Sequence, residues 1–511
     1  MRAVWWLKLA TWVGLPVLAV ADCAVPAPFE ALHLALRIGL ALLMVASLAA
    51  ISLHFSPRWE DVRWKLLAIG VVLLIFEIDI LLFRAGLARV ASSLGLLPLL
   101  CLAFLFCREP RRISLRTLGA GVAMQIVFAV LILFVPGTKS LFRAVADGFI
   151  QLQAFTVVAV KQVFGILGDQ KAVGALETLA NVNYGGVILA IQALTVIIFV
   201  GALSRLLYHC GVLQAVVRAM AFVMRRLLGA SGAESLSSAA NVFVGMVESP
   251  LLVRPYVAGM TESELFCVMS AGMATVAGSV MAIYMIFVGT AHAVHLLCAS
   301  VISAPAAIVV AKLMMPETGE PQTAGGAELP EPPESERPVN AVDAVARGAA
   351  EGTTLTVHVT GMLIAFLAFV AMANAILGLT GRMGLEPVTL QAVFGRLFWP
   401  VAVLLGIDIG EASQVGTLLG VKTAMNEFLG YLQLQSMMSS PVTRLTEHAR
   451  VVSIYALCGF ANFGSVGIMI AGIGGMAPSR RSDVARLGVM SIVSGSLAAF
   501  MTACIAGAMV G

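Results

Sequence analysis

The sequence predicts an all-α polytopic membrane protein with about 11 transmembrane helices and two re-entrant hairpins. The chain has 511 residues, of which 60% are hydrophobic and 12% are charged, and its mean hydropathy is +0.97. A soluble domain carries about 25% charged residues, so this chain has too much apolar surface for one soluble core. The apolar residues also gather in runs close to the roughly 20 residues that a helix needs to cross a bilayer.

Eleven apolar runs are long enough, or nearly long enough, to cross a membrane. They lie at about 4–21, 31–53, 64–83, 93–107, 117–135, 187–209, 263–289, 291–314, 354–378, 450–475 and 487–510. Two further apolar regions, at about 237–253 and 388–430, contain charges and are interrupted by Gly and Pro, which predicts a re-entrant hairpin in each. Between 139 and 168, polar residues are scattered among apolar ones, which predicts an amphipathic helix along the membrane interface.

Loop charges predict the orientation. Basic residues gather at 54–65, 108–116, 218–226 and 478–486, and these loops fall on one side if the hairpins do not cross. The positive-inside rule makes that side cytoplasmic, so we expect a multi-pass cell-membrane protein with its C-terminus outside. The first run is ambiguous: an Ala-Val-Ala sequence ending at Ala21 fits a signal-peptidase site, whereas Lys8 interrupts the apolar stretch. A retained first helix, which we favour, leaves the N-terminus cytoplasmic.

Several function classes are disfavoured. The net charge of +4 is small and the basic residues lie in short loops, so nucleic-acid binding is not expected. None of the eight Cys residues forms a CxxC pair, which argues against a disulfide framework or a zinc site. His292 and His295 would share a helix face, but no third metal ligand is near, so we interpret them as polar residues at the start of a span. No protease, hydrolase or P-loop motif is present, so an enzyme is not expected.

Polar groups inside the first hairpin region predict a functional site. Asn241 and Glu248 lie in a mainly apolar stretch, and an ionisable group at membrane depth costs several kcal/mol. The two halves of the chain also echo each other, because Glu248 is followed by Gly-x-Ala-Thr ending at Thr275, and Glu427 by Gly-x-Ala-Asn ending at Asn462. Paired interruptions of this kind are typical of inverted-repeat transporters, whose broken helices meet near the bilayer midplane.

The sequence therefore suggests a transport core with an inverted repeat. Residues 316–338 are rich in Pro, Glu and Gly and are expected to be disordered. We expect six segments: additional transmembrane helices (1–92), scaffold helices with the interfacial helix (93–230), a first transport repeat (231–315), a linker (316–345), a scaffold helix (346–386) and a second transport repeat (387–511).

Long ungapped motifs give a family resemblance from about residue 93 to the C-terminus. They are Gly232-Ala233-Glu234-Ser235, Ala239-Ala240-Asn241-Val242-Phe243-Val244-Gly245, Glu248-x-Pro250-Leu251, Val253-Arg254-Pro255, Met260-Thr261-x-Ser263-Glu264-Leu265-Phe266, Lys422-Thr423, Asn426-Glu427-Phe428, Ala456-Leu457-Cys458-Gly459-Phe460-Ala461-Asn462, Ala477-Pro478 and Arg480-Arg481. With these motifs the chain resembles the concentrative nucleoside transporter family, Na+/nucleoside symporters. The spans before residue 93 resemble those of its longer, eleven-span members.

The resemblance implies a sodium site at the first hairpin and at the break in the following helix. The matching positions are Asn241, Val244, Thr275 and Val276. Asn241 and Thr275 offer side-chain oxygens, whereas the two valines offer main-chain carbonyls, and hard oxygen ligands suit sodium. The alternative for Asn241 is an amide that bonds across packed helices.

The resemblance also implies a ribose site formed by Glu427, Asn462 and Ser465. A carboxylate accepts hydroxyl protons and an amide both donates and accepts, which suits a diol and a ring oxygen. Phe460 and Val280 match positions that flank the ligand, although either residue is equally suited to an apolar core. For Glu427 the alternative is a structural ion pair with Lys422.

At the nucleobase side the sequence departs from the family. Members that take uridine commonly have Gly-Gln-Thr-Glu where this chain has Gly245, Met246, Val247 and Glu248. Two hydrogen-bonding side chains are replaced by apolar ones, at a cost of about 1–3 kcal/mol per unpaired group on a buried ligand. A pyrimidine preference is therefore doubtful, and Glu248 is left to bond a base N–H or a proton.

The resemblance leads us to expect a secondary symporter that imports nucleosides or nucleoside-like solutes with sodium. The alternatives are coupling to protons and a non-transporting nucleoside-binding membrane receptor. The expected partners are a small-molecule nucleoside-like substrate, the lipid bilayer and two further copies of the chain in a homotrimer, the assembly that the family forms.

Overall fold

The fold is described by a computed structural model over residues 18–22, 36, 43–50, 59–179, 188–325, 338–382, 386–439 and 445–510. Within these ranges every regular element is helical and there is no β-strand, which confirms the predicted all-α class. Most of the apolar runs at 4–21 and 31–53 lie outside the described residues, whereas the possible signal-peptidase site, which ends at Ala21, falls in the described helical stretch 18–22.

The described ranges from residue 59 onward contain 21 α-helices, which we number in chain order, and the described residues at 18–22 and 43–50 are also helical. They are α1 (Trp59–Arg84), α2 (Ala88–Leu105), α3 (Leu115–Leu133), α4 (Pro136–Phe164), α5 (Gln170–Leu179), α6 (Val196–His209), α7 (Val212–Leu228), α8 (Gly232–Ala240), α9 (Glu248–Leu251), α10 (Arg254–Val257), α11 (Glu262–Ala274), α12 (Gly278–Val288), α13 (Ala293–Met314), α14 (Ala341–Leu377), α15 (Leu379–Arg382), α16 (Leu390–Leu404), α17 (Ile409–Ala424), α18 (Glu427–Ser439), α19 (Glu447–Leu457), α20 (Phe463–Met476) and α21 (Arg481–Met509).

Eight helical stretches among the described residues are long and apolar enough to cross a membrane, or nine if the bent pair α16–α17 counts as one span. The polytopic class is therefore confirmed, while the count of eleven stays a prediction. The predicted amphipathic segment is the continuous helix α4, most of which is exposed. By length and hydropathy α4 also qualifies as a span, so its position in the interface stays a prediction.

Helices α13 and α21 form the centre of the protein. Each packs against α11 and against the other. Helix α3 also packs against α13, and helices α19 and α20 pack against α21. Most residues of both helices are buried, whereas α4 and α14 are largely exposed. Helices that are apolar on all sides belong in the interior of a bundle, which explains why these two occupy it.

The same order of elements occurs twice. Helix α8, a turn and the short helices α9 and α10 precede the broken pair α11–α12 and the long helix α13. Later, α17 and α18 precede the broken pair α19–α20 and the long helix α21. This order agrees with the inverted repeat expected from the sequence.

Capping residues define where the broken helices begin. At α8 the Ser231 hydroxyl accepts from the Glu234 amide, and the Glu234 carboxylate accepts from the Ser231 amide. Thr261 and Glu264 form the same pair of bonds at α11. These capping boxes satisfy amides that a helix leaves unpaired at its start. Asn462 caps α20 through its side chain, which accepts from the Ser465 amide over 2.9 Å. Family motif residues thus also have local structural roles.

The two broken helices cross at their interruptions. Gly459, in the break between α19 and α20, has φ +111°, and a Cβ there would lie 2.6 Å from the Met273 carbonyl oxygen at the end of α11. In the other break, a Cβ on Gly278 would lie 2.8 Å from the Phe243 carbonyl oxygen, which accepts from the Gly278 amide over 3.1 Å. Only glycine permits these backbone approaches, so the two glycines join both breaks and the first hairpin turn.

The predicted boundary of the second hairpin needs correction. The second hairpin was expected to end near residue 430, but its last helix, α18, begins at Glu427 and continues to Ser439. The region from 388 instead contains α16 and α17, which are bent by 116° at residues 405–408. The sequence did not reveal where the hairpin ends, because apolar residues continue on both sides of the charged Glu427.

The beginning of the predicted disordered linker is ordered. Thr323 is buried and accepts the amides of Gly232 and Ala233 through its carbonyl and hydroxyl oxygens, over 2.8 and 3.0 Å. Glu317 pairs with Lys312 over 3.1 Å. These contacts satisfy the start of α8, which composition does not reveal. Residues 326–337 lie outside the described part.

Candidate functional site

A large cavity lies between the first hairpin turn, the breaks and the helices α6 and α14. Its volume is about 1510 Å³. All of the substrate-site residues expected from the sequence line it: Met246, Val247, Glu248, Val280, Glu427, Phe460, Asn462 and Ser465. Residues far apart in the chain thus line one cavity.

The Glu427 carboxylate in this cavity is held by two side-chain hydrogen bonds. Tyr284 donates its hydroxyl to Glu427 Oε1 over 2.7 Å, and Asn462 Nδ2 donates to Oε2 over 3.0 Å. Only 5% of Glu427 is exposed. A carboxylate has about four acceptor sites, so two remain for a ligand that reaches the cavity. The arrangement is suited to accept a pair of hydroxyl protons.

Tyr284 was not identified from the sequence. It lies four residues after Val280 on α12, on the same helix face, and its ring stacks on Tyr431 with centroids 4.5 Å apart. The helical spacing from Val280 was the available signal, since residues at i and i+4 are neighbours on one face.

Lys422 does not form the ion pair that was considered as an alternative for Glu427. Its ammonium donates to the carbonyl oxygens of Ala456 and Cys458 over 2.8 and 3.3 Å, at the end of α19. No ion pair joins it to Glu427 within the described ranges. Lys422 thus stabilises the unpaired carbonyls of the broken helix, where a cation also complements the helix dipole.

The expected sodium ligands lie around the contact between the first hairpin and the α11–α12 break. Asn241 Nδ2 donates to Thr275 Oγ1 and to the Ala271 carbonyl, the latter over 2.8 Å. Asn241 Oδ1 accepts from Ser249 over 3.1 Å. The Asn241 amide thus bonds across packed helices, as the alternative interpretation expected, and it does so beside the break.

The residue types at this contact fit a sodium ion. Val276 follows Thr275 in the break, and Val244 lies in the turn after α8, so both are outside regular helix. The candidate donors are uncharged oxygens of Asn241, Thr275 and the main chain, which suit a small hard cation. Among the described residues there is also no cluster of three His, Cys, Asp or Glu side chains for another metal.

The hairpin end near Glu248 is mainly apolar. Met246 is 7% exposed and packs against Gly272 of α11, while Val247 packs against Gly472 of α20. Glu248 is exposed to the cavity, and a Cβ on Gly245 would collide with its carboxylate. The first hairpin therefore presents one acceptor group beside two side chains that form no hydrogen bonds.

His292 and His295 do not line the cavity. His292 Nε2 lies 2.9 Å from Glu447 Oε1, and His295 Nδ1 lies 3.3 Å from the Tyr455 hydroxyl. These contacts join the start of α13 to α19, in agreement with a polar pair at the start of a span.

Comparison with known proteins identifies the family. Three family models match: Na+ dependent nucleoside transporter N-terminus over residues 94–167, nucleoside recognition over 190–291, and Na+ dependent nucleoside transporter C-terminus over 295–507. A Haemophilus influenzae protein described as an uncharacterized transporter is 42% identical over 425 residues, 82% of this chain and 98% of that protein. Nucleoside permease NupC of Helicobacter pylori is 34% identical over 422 residues, 82% of this chain and 97% of the permease.

A solved structure has the same fold. The structure of CNTnw in an inward-facing substrate-bound state superposes with a TM-score of 0.75 at 37% identity, covering 82% of this chain and 97% of that one. The chain is thus a multi-pass membrane protein and not an enzyme, and it belongs to the concentrative, Na+ dependent nucleoside transporter family.

Proposed function

We propose that this protein is a symporter that imports nucleosides or nucleoside-like solutes together with sodium. The observation that carries the proposal is the Glu427 carboxylate, which Tyr284 and Asn462 orient in the large cavity. Two acceptor sites remain on that carboxylate, which match the two hydroxyls of a ribose. Ser465 lies beside Asn462 in the same wall and Phe460 supplies an apolar face.

Sodium would act through the contact between the first hairpin and the α11–α12 break. Asn241 and Thr275 join these elements, with Val244 and Val276 as main-chain ligands. The same hairpin continues into Glu248, and α12 continues into Val280 and the cavity. An ion that fixes this contact favours the arrangement that binds the substrate, and that shared preference is the coupling free energy.

Met246 and Val247 cannot form the side-chain hydrogen bonds that Gln and Thr offer in family members that take uridine. We therefore propose no pyrimidine preference based on those two positions. Two of the carboxylates that line the cavity, those of Glu248 and Glu427, favour proton coupling as the second candidate, because each is able to carry a proton.

We also propose a division into scaffold and transport parts. Helices α6 and α14 pack tightly on each other, and α14 leaves most of its surface to lipid or to other copies in a homotrimer. The elements from α8 to α13 and from α16 to α21 would move as the transport repeats, with the basic loops in the cytoplasm and the C-terminus outside.

Reciprocal binding tests the proposal. Isothermal titration of the purified protein should show that sodium tightens nucleoside binding by about 5- to 150-fold relative to potassium, and that nucleoside tightens sodium binding by the same factor. Equal nucleoside affinity in both salts, with tighter binding at low pH, would overturn sodium in favour of protons. Binding without uptake would favour the receptor alternative.

A further inference from the structure

An ion pair in the cavity wall belongs to no part of the site expected from the sequence. Arg205 Nε of α6 lies 3.2 and 2.9 Å from the two carboxylate oxygens of Glu351 on α14, and an Nη2 bond of 2.5 Å completes a fork. Both side chains line the cavity, with 37% and 53% of their surfaces exposed. Charges at membrane depth are costly, so a pair that faces a cavity calls for a function.

Close helix packing fixes the pair in place. A Cβ on Gly348 would lie 2.6 Å from the Gly201 carbonyl oxygen, and one on Gly352 would lie 2.7 Å from the Ile198 Cα. Small residues let α6 and α14 approach this closely, one turn from Arg205 and on either side of Glu351. The guanidinium is thus held by a bidentate bond and by a rigid helix crossing.

The guanidinium retains donors that bond to none of the residues that the structure describes. Its bonds to Glu351 use Nε and Nη2, and within the described ranges no protein acceptor lies on Nη1. A guanidinium has five N–H donors and no acceptor, so Nη1 offers two donors to a ligand. Arg205 is therefore a donor-only group in the cavity wall.

Glu248 supplies the opposite chemistry nearby. Its carboxylate interacts electrostatically with both Arg205 and Glu351, and it faces the same cavity. Its neighbours Met246 and Val247 form no hydrogen bonds with a base. This part of the cavity thus places the acceptor-only carboxylate of Glu248 in electrostatic interaction with the donor-only guanidinium of Arg205.

We propose that Glu248 and Arg205, the latter positioned by Glu351, recognise a base edge with an N–H beside a C=O group. In hypoxanthine, guanine and uracil the N–H donates to Glu248 and the C=O accepts from Arg205. Adenine and cytosine present a ring-nitrogen acceptor beside an amino donor, so both contacts are reversed and lost. This inference rests on the proposed function, because it requires a nucleoside whose ribose lies at Glu427.

Two matched ligand pairs test the inference. Inosine and adenosine, like uridine and cytidine, differ only at this edge, so isothermal titration of the full-length protein in nanodiscs with sodium isolates it. We expect the oxo member of each pair to bind at least about 10-fold tighter. The double variant Arg205→Met with Glu351→Gln removes both charges together, and both ratios should fall to within about 2-fold.

A neighbouring ion pair provides the control. Asp343 and Arg347 pair at 3.1 Å on α14 and do not line the cavity. Asp343→Asn with Arg347→Met should leave both ratios unchanged. If the Arg205 double variant does not fold, Arg205→Lys decides, because it keeps the charge but removes the fork: a ratio reduced several-fold supports the inference and an unchanged ratio overturns it.

The outcomes separate this inference from the proposed function. Wild-type protein that binds nucleosides without preferring the oxo members overturns the base assignment and leaves symport standing. A preference that survives removal of both charges does the same. Wild-type protein that binds none of the four nucleosides in sodium overturns the proposed function, and the base assignment with it.

Discussion

Removing the charge of Glu427 should weaken the binding of nucleosides through their ribose hydroxyls. The structure leaves two acceptor sites on this carboxylate, since Tyr284 and Asn462 use one on each oxygen. Glu427→Gln preserves the shape but keeps only one acceptor oxygen, so at least one hydrogen bond to a charged group is lost. Such a bond contributes about 1.5–3 kcal/mol, which corresponds to a loss of affinity of about 10- to 150-fold.

Isothermal titration with a ribonucleoside and its 2′,3′-dideoxy analogue measures this effect. Glu427→Gln should weaken the ribonucleoside by that factor and the dideoxy analogue by less than about 3-fold, since the analogue has no hydroxyl for the carboxylate. Glu109→Gln, an exposed residue outside the cavity, should change neither affinity. Equal losses for both ligands in Glu427→Gln would refute the assignment of the carboxylate to the ribose.

Three further changes test other parts of the molecule. Met246→Gln with Val247→Thr should raise uridine affinity, measured by titration, and no increase would contradict our account of the hairpin. Thr275→Val should raise the sodium concentration for half-maximal nucleoside binding about 10-fold, whereas Thr275→Ser should not, because the serine keeps the hydroxyl. Burial raises the pKa of Glu317, but the Lys312 ammonium together with hydrogen bonds from the Gly319 amide and the Thr261 hydroxyl outweighs burial and holds that pKa below the ordinary 4.5. The carboxylate therefore stabilises the fold above that pH, so the Tm deficit of Glu317→Gln should be present at pH 7 and shrink as the pH falls below 4.5, and a deficit that persists in acid would contradict this.

The sequence predicted the elements whose signals are local. Hydropathy was sufficient to predict the all-helical membrane class. The family motifs identified eight substrate-site positions, and all eight line one cavity in the structure. The glycine at one break also had a sequence signal, because Gly459 begins the Gly-x-Ala-Asn motif that ends at Asn462. These features depend on composition and short motifs, which can be recognised without knowledge of the tertiary packing.

Contacts between distant segments were beyond the sequence. Tyr284 and Glu427 are 143 residues apart, and Arg205 and Glu351 are 146 apart, so no local pattern joins either pair. The ordered start of the linker depends in the same way on Thr323 reaching the start of α8. In each case a polar side chain gains its partner only when helices from separate parts of the chain pack together.

Uptake driven by an ion gradient tests the central claim most directly. Proteoliposomes that contain the purified protein should accumulate a radiolabelled nucleoside above the outside concentration when sodium is high outside, and should fail to do so when potassium replaces it. The same vesicles with Thr275→Val should need more sodium for the same rate. Accumulation that ignores sodium and follows an inward proton gradient, or binding with no accumulation under either gradient, would contradict sodium-coupled symport.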